Sequence, residues 1–488
     1  MATVDAVAVF KSWIGGEWKE SRSGEWFDSI NPANTSEIVG RFPNLQADEA
    51  VEAVEAAAQA FPSWRDTPVS KRSEILLKAA DLLEHRVDQY GRELCREEGK
   101  LLSVAKQEVK RAAATFRFYA QEGLSLVGET FTTDDSASFV FSHREPLGVV
   151  TAITPWNFPI SIPSRKIAPA LVTGNTVVFK PASDTPLIAL RLVECLVEAG
   201  LPAGVLNLVT GSARRVGTAI TTHPDVKAIT FTGSTLAGEA IHRNVSLTTR
   251  TQMELGGKNP ILVMEDADIA KAVQLTIKGG FDLSGQACTG TSRVIVMRQV
   301  YEEYAKALVK AAKTLKIGDG LAADTEMGPL ANASQMDTVL SYIRLGQEQG
   351  ATLLFGGDRL EGDAYQNGYF IRPAVFVDVT SKMTIAQEEI FGPVISVMIV
   401  DSFDEAIHLA NDVAYGLSAS IVTRDIERAN RFVRRIESGT VKINRTTTGN
   451  LIQAPFGGLK KSSTSTFRES GRIGLEFFTQ LKTVYYGY

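Results

Sequence analysis

The chain has 488 residues, of which 44% are hydrophobic and 22% are charged, and its formal net charge at pH 7 is -5. This length predicts two or three domains, and the composition is typical of an ordinary soluble globular protein. The acidic balance argues against a nucleic-acid-binding protein, and the lack of an 18-residue apolar run argues against a membrane-spanning one.

Residues 45–120 are predicted to be helical, because apolar residues recur at helical spacing in 47–60 and 73–85. Residues 129–146 change character. Two β-rich segments there flank the polar run 134–136, and this pattern predicts a β-hairpin.

From residue 147 the pattern alternates between strands and helices. The segment 187–199 is predicted to be a helix that ends at Gly200. A second alternating region runs from the strand 260–264 to about residue 445, and a last strand is predicted at 481–486. The alternation indicates an α/β protein with parallel sheets covered by helices. The first four strands of this part are predicted at 147–154, 176–180, 205–210 and 228–232.

The three cysteines and five histidines limit the kinds of disulfide, metal and catalytic site that the chain can contain. An odd, sparse cysteine set argues against a disulfide framework, and the N-terminus shows no signal peptide, so a cytoplasmic location is expected. The histidines lack metal-ligand spacing, so no metal site is predicted. Cys195 lies in an apolar helical pattern and is predicted to be core, whereas Cys95 lies among charges and is predicted at a helix surface or edge.

Cys288 lies in the loop-like run Gly-Gln-Ala-Cys-Thr, and Glu254 lies 34 residues earlier beside two glycines. A thiolate can attack a carbonyl carbon, and a carboxylate can activate the water that hydrolyses the resulting thioester. Either residue taken alone is more often structural.

Three further runs follow predicted strands. Residues 231–235, Phe-Thr-Gly-Ser-Thr, open a predicted helix whose N-terminus could bind a phosphate, although they match neither G-x-G-x-x-G nor a Walker loop. Lys180 ends a strand and could hold ribose hydroxyls or phosphate in the ligand crevice. In 155–159, Pro-Trp-Asn-Phe-Pro, two prolines would hold the Asn157 amide as an oxyanion hole requires. An ordinary turn, a solvated lysine and a rigid structural loop are the respective alternatives.

Together these runs resemble the aldehyde dehydrogenase superfamily, and the likeness covers essentially the whole chain. Six motifs occur in the family's order and approximate spacing. They are 155–159 (Pro-Trp-Asn-Phe-Pro), 231–234 (Phe-Thr-Gly-Ser), 254–258 (Glu-Leu-Gly-Gly-Lys), 285–288 (Gly-Gln-Ala-Cys), 389–393 (Glu-Ile-Phe-Gly-Pro) and 455–458 (Pro-Phe-Gly-Gly).

The resemblance implies a role for each matching residue. Cys288 would be the nucleophile, Asn157 and the Cys288 backbone N–H would stabilise the oxyanion, and Glu254 would activate water. Lys166 and Glu469 match positions near a proton path from that base, and a purely structural role for these two charges stays open. The positions that match cofactor contacts are Thr154, Pro155, Trp156, Lys180, Ser183, Gly211, Thr232, Gly233, Ser234, Leu255, Glu389 and Phe391.

Two variants of the family are disfavoured. Coenzyme-A-acylating relatives typically lack the hydrolytic glutamate, which is present here as Glu254. Catalytically silent members recruited as structural proteins are a rival class, but Cys288, Glu254 and Asn157 are all retained. The resemblance therefore implies an active, non-acylating enzyme that oxidises a small-molecule aldehyde to a carboxylic acid.

Ser183 bears on the choice of cofactor. NAD-specific relatives commonly place a glutamate three residues after the motif lysine, where it would repel a 2'-phosphate. A hydroxyl at this position can instead donate to that phosphate, and Lys180 can neutralise it. We expect NADP to be accepted, alone or together with NAD.

The overall pattern most resembles bacterial semialdehyde dehydrogenases of the 2-oxoglutaric and succinic type. Arg165 matches an arginine that the succinic branch uses for the distal carboxylate, but Asp282 stands where that branch has a second arginine. Asp282 could repel an anionic substrate or be neutralised by Arg165 in a buried pair, and Arg445 is a replacement candidate. An acidic semialdehyde is the first expectation, and a neutral, aromatic or amino aldehyde is the alternative.

The implied architecture has three parts and forms a homodimer or a homotetramer. The Rossmann-like cofactor domain comprises 1–122 and 145–255, and the α/β catalytic domain comprises 256–461. A small β oligomerisation arm comprises 123–144 and 476–488. Because an isolated hairpin is only marginally stable, this arm is expected to complete a sheet of a neighbouring subunit.

Overall fold

The computed structural model describes residues 7–488. Residues 1–6 lie outside the described range. They include the start of the predicted cofactor domain and the first residues of the stretch in which no signal peptide was predicted. The helices are α1 (Ala47–Asp66), α2 (Val69–His85), α3 (Val87–Glu98), α4 (Leu102–Leu124), α5 (Ser161–Val172), α6 (Pro186–Glu198), α7 (Ala213–Thr222), α8 (Thr235–Asn244), α9 (Ile269–Phe281), α10 (Arg298–Thr314), α11 (Ala333–Glu348), α12 (Thr384–Gln387), α13 (Phe403–Asn411), α14 (Ile426–Arg435) and α15 (Gly474–Phe477).

The strands of the described residues pair into two large sheets, a three-stranded arm and three small two-stranded sheets. In chain order they are β1 (Ser12–Ile14), β2 (Glu17–Lys19), β3 (Trp26–Ile30), β4 (Ile38–Pro43), β5 (Thr130–Phe131), β6 (Ser138–Pro146), β7 (Val149–Ile153), β8 (Thr176–Lys180), β9 (Leu206–Leu208), β10 (Val226–Thr232), β11 (Arg250–Glu254), β12 (Asn259–Val263), β13 (Thr291–Met297), β14 (Thr352–Phe355), β15 (Ala374–Val377), β16 (Val394–Val400), β17 (Tyr415–Gly416), β18 (Ser418–Val422), β19 (Thr440–Ile443), β20 (Leu459–Lys460) and β21 (Thr479–Gly487).

The first large sheet has five parallel strands in the order β11-β10-β7-β8-β9. Its strands are apolar on both faces, since Val149 and Val178 pack towards α1 and α7 whereas Val150 and Val177 pack towards the layer of α2 to α6. The strand order reverses between β7 and β10, and open α/β sheets bind ligands at the carboxyl ends of the strands beside such a point.

The second large sheet has the order β14-β15-β16-β13-β12-β18-β19, and all of its strands are parallel except the edge strand β14. Ile295 of β13 packs into one apolar core, and its neighbours Val294 and Val296 pack into another on the opposite face. The α/β class with two helix-covered parallel sheets is therefore confirmed.

The predicted hairpin is present. Thr130 of β5 pairs with Phe141 of β6, and β21 pairs antiparallel with β6 along its whole length, from Thr479 to Gly487. Strand β21 is an edge of this three-stranded sheet. The domain boundaries themselves stay a prediction.

Two sequence expectations need correction. The strands β1 to β4 were not predicted, because they are short pieces without clear alternation. Cys95 does not lie at a helix surface: it is 2% exposed, because the loop at Gly320 covers it.

Between residues 7 and 488, no helix is long and apolar enough to cross a membrane.

Candidate active site

The loops at the carboxyl ends of the five parallel strands carry most of the predicted cofactor residues. Parallel strands end at the same edge of a sheet, so residues far apart in the chain meet there. Thr154, Pro155 and Trp156 follow β7, Lys180 and Ser183 end or follow β8, Gly211 follows β9, Thr232, Gly233 and Ser234 end or follow β10, and Leu255 follows β11.

The chemistry of these loops fits a dinucleotide. The Lys180 Nζ is buried and donates a hydrogen bond to the Pro181 carbonyl at 3.1 Å, and burial lowers the pKa of Lys180 to about 8. A buried cation with so few partners is stabilised by an anionic or hydroxyl-rich ligand. The Ser183 hydroxyl donates to the Gly211 carbonyl at 3.3 Å and so joins two of the loops.

Further donors converge on the same edge. The hydroxyl oxygens of Thr154 and Thr232 are buried without a hydrogen-bond partner among the described residues. Helix α8 begins directly after Ser234, whose Oγ accepts the Ala237 N–H at 3.3 Å. The remaining free N–H groups of that helix start suit a phosphate.

The two glycines of the Glu-Leu-Gly-Gly-Lys run bring the first unit, which contains the five-stranded sheet, into contact with the second unit, which contains the seven-stranded sheet. Glu389 Oε1 accepts the Gly257 N–H at 2.8 Å, and a Cβ on Gly256 would lie 2.4 Å from Glu389 Oε2. A Cβ on Gly257 would lie 2.4 Å from the Cys288 carbonyl oxygen. A side chain at Gly257 would therefore push the Cys288 loop away from the end of β11, and one at Gly256 would displace Glu389. Burial raises the pKa of Glu389 to about 7.

Trp156 and Phe391 also join the two units, with their ring centroids 5.4 Å apart in an edge-to-face arrangement. Phe391 therefore faces the loop after β7, whereas Glu389 contacts the loop after β11. These two residues are the predicted cofactor contacts that come from the second unit.

Cys288 lies at the end of a strained loop. Leu283 and Ser284 each have a φ of 53°, in the left-handed region that non-glycine residues rarely adopt. The Asn259 side-chain amide donates to the Cys288 carbonyl at 2.8 Å and orients the nucleophile's backbone. Burial, reinforced by the negative charge of Glu389, raises the pKa of the Cys288 thiol to about 12.

The Asn157 amide lies beside this loop. Its Nδ2 donates to the Gln286 carbonyl at 2.8 Å, two residues before Cys288, and its Oδ1 is buried without a partner among the described residues. One N–H of that amide therefore stays available for an oxygen at the nucleophile.

A buried ion pair, Lys100 with Glu108, holds the loop that contains Asn157. Lys100 Nζ donates to the Asn157 carbonyl at 2.7 Å and to Glu108 Oε2 at 2.6 Å. The other oxygen of Glu108 accepts the N–H groups of Ile160 and Ser161, at the start of α5, at 3.2 and 3.1 Å. Lys100 and Glu108 thus hold the loop and the helix that follows it.

Glu254 ends β11 and is 2% exposed, and neither of its carboxylate oxygens has a hydrogen-bond partner among the described residues. Burial raises its pKa well above the ordinary value, and the negative charge of Glu469 adds to this rise. The positive charges of Lys166, Arg165 and Arg468 oppose it. Glu254 therefore holds a proton more readily than an ordinary carboxyl group does.

Lys166 and Glu469 form a buried ion pair near Glu254. Lys166 Nζ also donates to the Thr230 hydroxyl at 2.9 Å, which in turn donates to Gln252 at 2.9 Å. Burial lowers the pKa of Lys166. The structure thus places both predicted proton-path residues in one hydrogen-bonded group.

The three predicted substrate residues are not brought together. Asp282 forms an ion pair with Lys278 at 2.9 Å on the surface, with its side chain 49% exposed, which excludes the alternative of a buried pair with Arg165. The helical spacing of four residues at the end of α9 favours this local pair. Arg445 is exposed in the loop after β19. Arg165 is the buried one of the three, with its side chain 11% exposed.

Sequence reasoning missed Lys100, Glu108 and Arg111. Each is a charged residue in or next to a helical pattern, where charges usually face water, so the sequence carried no local signal. Arg111 NH2 donates to the Asn450 carbonyl at 2.6 Å, across 339 residues of chain. In the described part of the chain, no group of three or more His, Cys, Asp or Glu side chains could hold a metal ion.

Comparison with known proteins agrees with this geometry. The model of the "Aldehyde dehydrogenase family" matches residues 18–484. The chain belongs to the aldehyde dehydrogenase family. An "Alpha-ketoglutaric semialdehyde dehydrogenase" from Bacillus subtilis (strain 168) is 46% identical over 486 residues, which cover 99% of each chain.

Two solved aldehyde dehydrogenase structures are similar along nearly the whole chain. The betaine aldehyde dehydrogenase from Staphylococcus aureus in complex with NAD+ has a TM-score of 0.95 at 35% identity, covering 97% of this chain and 94% of that one. The 3,6-anhydro-L-galactose dehydrogenase in complex with NAP, that is NADP, has a TM-score of 0.94 at 37% identity, covering 98% and 99%. This aldehyde dehydrogenase is therefore an oxidoreductase that oxidises an aldehyde with NAD or NADP.

Proposed function

We propose that this aldehyde dehydrogenase oxidises an acidic semialdehyde, of the 2-oxoglutaric or succinic type, to the corresponding dicarboxylic acid. The observation that carries the proposal is Arg165. Its Nε is buried without a partner among the described residues, and the nearest carboxylate oxygen, Glu469 Oε2, lies 4.0 Å away. Arg165 is close enough to Cys288 and Glu254 to oppose the rise of both pKa values.

The charge balance around the nucleophile supports an anionic substrate. Arg165, Lys166 and Arg468 all act on Glu254, whereas Glu469 is the other acid in this group. These three cations face two carboxylates, Glu254 and Glu469, so one positive charge is in excess. A carboxylate on the substrate would offset the excess. Because Asp282 pairs with Lys278 at the surface, it is no longer a reason to expect a neutral or amino aldehyde.

The name of the Bacillus subtilis relative, at 46% identity along the whole chain, supports the same substrate class.

In the proposed mechanism, Cys288 Sγ attacks the aldehyde carbon after its proton has passed to a base. The aldehyde oxygen becomes an oxyanion and accepts hydrogen bonds from Asn157 Nδ2 and the Cys288 backbone N–H. The raised thiol pKa makes an adjacent base necessary, and Glu254 is the candidate, because its own raised pKa lets it accept a proton.

A bound NAD or NADP would supply the acceptor for the hydride that leaves the former aldehyde carbon. Glu254 first releases the thiol proton through the buried Lys166–Glu469 pair. It then takes a proton from water, the hydroxyl oxygen attacks the thioester carbon, and Cys288 Sγ leaves as a thiolate as the carboxylic acid forms. Lys180, Ser183 and the start of α8 would hold the cofactor's ribose and phosphate groups.

The test is an initial-rate assay of cofactor reduction with saturating NAD or NADP. The aldehyde panel holds 2-oxoglutaric and succinic semialdehydes, benzaldehyde, propionaldehyde and betaine aldehyde, with Cys288→Ala as the blank. We expect the highest kcat/KM for the two acidic aldehydes. A higher kcat/KM for a neutral or cationic aldehyde would contradict the proposal. A catalytically silent protein would turn over none of them, and its Cys288 would not be protected by any aldehyde from a thiol reagent.

We infer that the protein forms a homodimer or homotetramer through the arm of β5, β6 and β21. The edge strand β21 exposes Leu481 and Tyr485, which are 60% and 76% exposed in the single chain. A long apolar edge strand is an association site unless it is covered. All three cysteines are free thiols, which supports a cytoplasmic, reducing location.

A further inference from the structure

Helices α4 and α5 lie side by side and run in the same direction. Near their starts, Glu108 of α4 accepts two N–H groups from the start of α5. Near their ends, a Cβ on Gly123 of α4 would lie 2.2 Å from Val172 of α5. Arg111 lies one turn after Glu108, and Arg165 lies one turn after the start of α5. Helical geometry therefore makes these two arginines neighbours.

Neither guanidinium group has an acid at close hydrogen-bonding distance: Glu469 Oε2 lies 4.0 Å from Arg165 NH2, and Arg111 forms no ion pair among the described residues. Arg165 packs over the Phe456 ring, 5.3 Å from its centroid, with its Nε unpartnered among the described residues. Arg111 is half-buried and donates to the Asn450 carbonyl. Burial, and next the positive charge of Arg165, lower the pKa of Arg111.

The nearby acids have other partners. Glu108 is bound by Lys100 at 2.6 Å, and Glu469 is bound by Lys166. Two adjacent, poorly hydrated like charges cost free energy unless an anion lies between or beside them.

We propose that Arg111 and Arg165 together form the pocket for the distal carboxylate, and that Arg111 is a specificity-determining residue for acidic aldehydes. This inference rests on the proposed acidic substrate. Arg165 reaches the surroundings of Cys288 and Glu254, and Arg111 flanks it on the neighbouring helix. A short chain with an aldehyde at one end and a carboxylate at the other can therefore span from the thiol to the arginine pair.

The hydrogen-bonding capacities match. A carboxylate offers about four lone-pair positions, and each guanidinium presents a fork of N–H donors. A 2-oxo carboxylate adds a third oxygen on the same plane, so it can engage both forks. A neutral aldehyde would leave the donors unpaired, which is how a polar site rejects a substrate that lacks the matching group.

The test compares Arg111→Gln, Arg111→Lys and Arg165→Gln with the wild-type enzyme. The matched control is Arg117→Gln, which lies on the same helix but pairs at the surface with Asp81 and Glu84. The substrates are 2-oxoglutaric semialdehyde, succinic semialdehyde and propionaldehyde. Melting temperatures identify any variant that fails to fold.

We expect Arg111→Gln to lower kcat/KM for the acidic aldehydes by about 10- to 100-fold, mainly through KM, as for the loss of a charge-assisted hydrogen bond. Propionaldehyde oxidation should change less than about threefold, by the same scale of free energies. Arg111→Lys should recover part of the loss, and Arg117→Gln should behave like the wild type. The double variant Arg111→Gln/Arg165→Gln should lose less than the product of the two single losses, because both act on one carboxylate.

A second measurement needs no turnover. Glutarate, a dicarboxylate without an aldehyde, should inhibit the wild-type enzyme competitively and inhibit Arg111→Gln about 10-fold more weakly. Equal losses for acidic and neutral aldehydes, or unchanged glutarate inhibition, would overturn the role of Arg111. If the wild-type enzyme itself prefers neutral aldehydes, the proposed function fails before the arginine pair is tested.

Discussion

At the scale of single residues, Glu254 is an ionisable group that is buried without a hydrogen-bond partner among the described residues. An ionised carboxylate without partners loses its hydration on burial and gains nothing in return. Neither of its oxygens has a hydrogen-bond partner among the described residues, which leaves room for the water that we propose Glu254 activates. Chemical competence is thus obtained here at the expense of stability.

Glu254→Gln should separate the contribution of Glu254 to catalysis from its effect on stability. Glutamine can accept neither the thiol proton of Cys288 nor the proton from water, so we expect no burst of reduced cofactor and a steady turnover lowered about 10²- to 10⁴-fold. Exposed Glu302 provides the control Glu302→Gln, which should turn over normally. A burst of about one reduced cofactor per active site before slow turnover would contradict a role of Glu254 in activating the thiol.

The same variant should change how the stability of the folded protein depends on pH. Because the folded pKa of Glu254 is raised, its contribution to stability is fully present below its ordinary pKa of 4.5 and is lost as the pH rises through the folded value. Glu254→Gln lacks this loss. It should melt above the wild type at pH 8, and the difference should shrink towards pH 5.

Ser183 is the second residue-scale case, because its hydroxyl lies in the crevice at the ends of β8 and β9. Ser183→Glu would place a carboxylate where a 2'-phosphate is expected. We expect kcat/KM for NADP to fall about 10-fold or more, with little change for NAD, since like charges repel. Ser183→Ala controls for the loss of the hydroxyl alone. Equal losses with both cofactors would show that Ser183 does not read the 2'-phosphate.

At the scale of elements, the loop between β7 and α5 depends on α4 for its position. Lys100 and Glu108 bind the Asn157 carbonyl and the start of α5, and all of these groups are buried. The Asn157 amide, our proposed oxyanion donor, is therefore held in place by Lys100 and Glu108.

Lys100→Met should act through Asn157. It leaves Glu108 without its cation, so it is expected to cost about 3–5 kcal/mol of stability, and assays belong below its melting temperature. We expect kcat to fall with little change in KM, and no further loss when Lys100→Met is added to Asn157→Ala. Labelling of Cys288 by iodoacetamide, which forms no oxyanion, should be unchanged. Multiplying losses would contradict this role of Lys100, and Lys106→Met, whose Lys106 pairs with exposed Asp88, is the control.

At the scale of the whole molecule, the arm is the part that a single chain leaves incomplete. Nearly all side chains of β21 are exposed in the single chain. The partner that we propose for this edge is a second copy of the chain.

Leu481→Lys combined with Tyr485→Lys should weaken this association. The two side chains lie on one face of β21, four residues apart, and charges on an edge strand oppose pairing. We expect light scattering after size exclusion to show a smaller oligomer or a monomer. Leu354→Lys, at an exposed position on the edge strand β14, should leave the oligomer intact. An unchanged mass for the arm variant would place the interface elsewhere.

The sequence by itself determined the features that are written locally. The β8 strand was predicted with its observed ends, and α2 and α6 within a few residues, because hydrophobic period and Gly/Pro punctuation act over a few residues. The Cys288 and Glu254 runs were visible for the same reason, since their small neighbours are contiguous in the chain. Six ordered motifs then indicated the family.

Only the tertiary structure decided which charges are used as pairs. Lys100 binds Asn157 across 57 residues, Arg111 reaches Asn450 across 339, and Lys166 meets Glu469 across 303. Asp282, by contrast, forms its ion pair with Lys278, four residues earlier in the chain, and not with Arg165. Charge is a property of the sequence, but burial and partner distance are created by packing, and these set the energy of an ionic group.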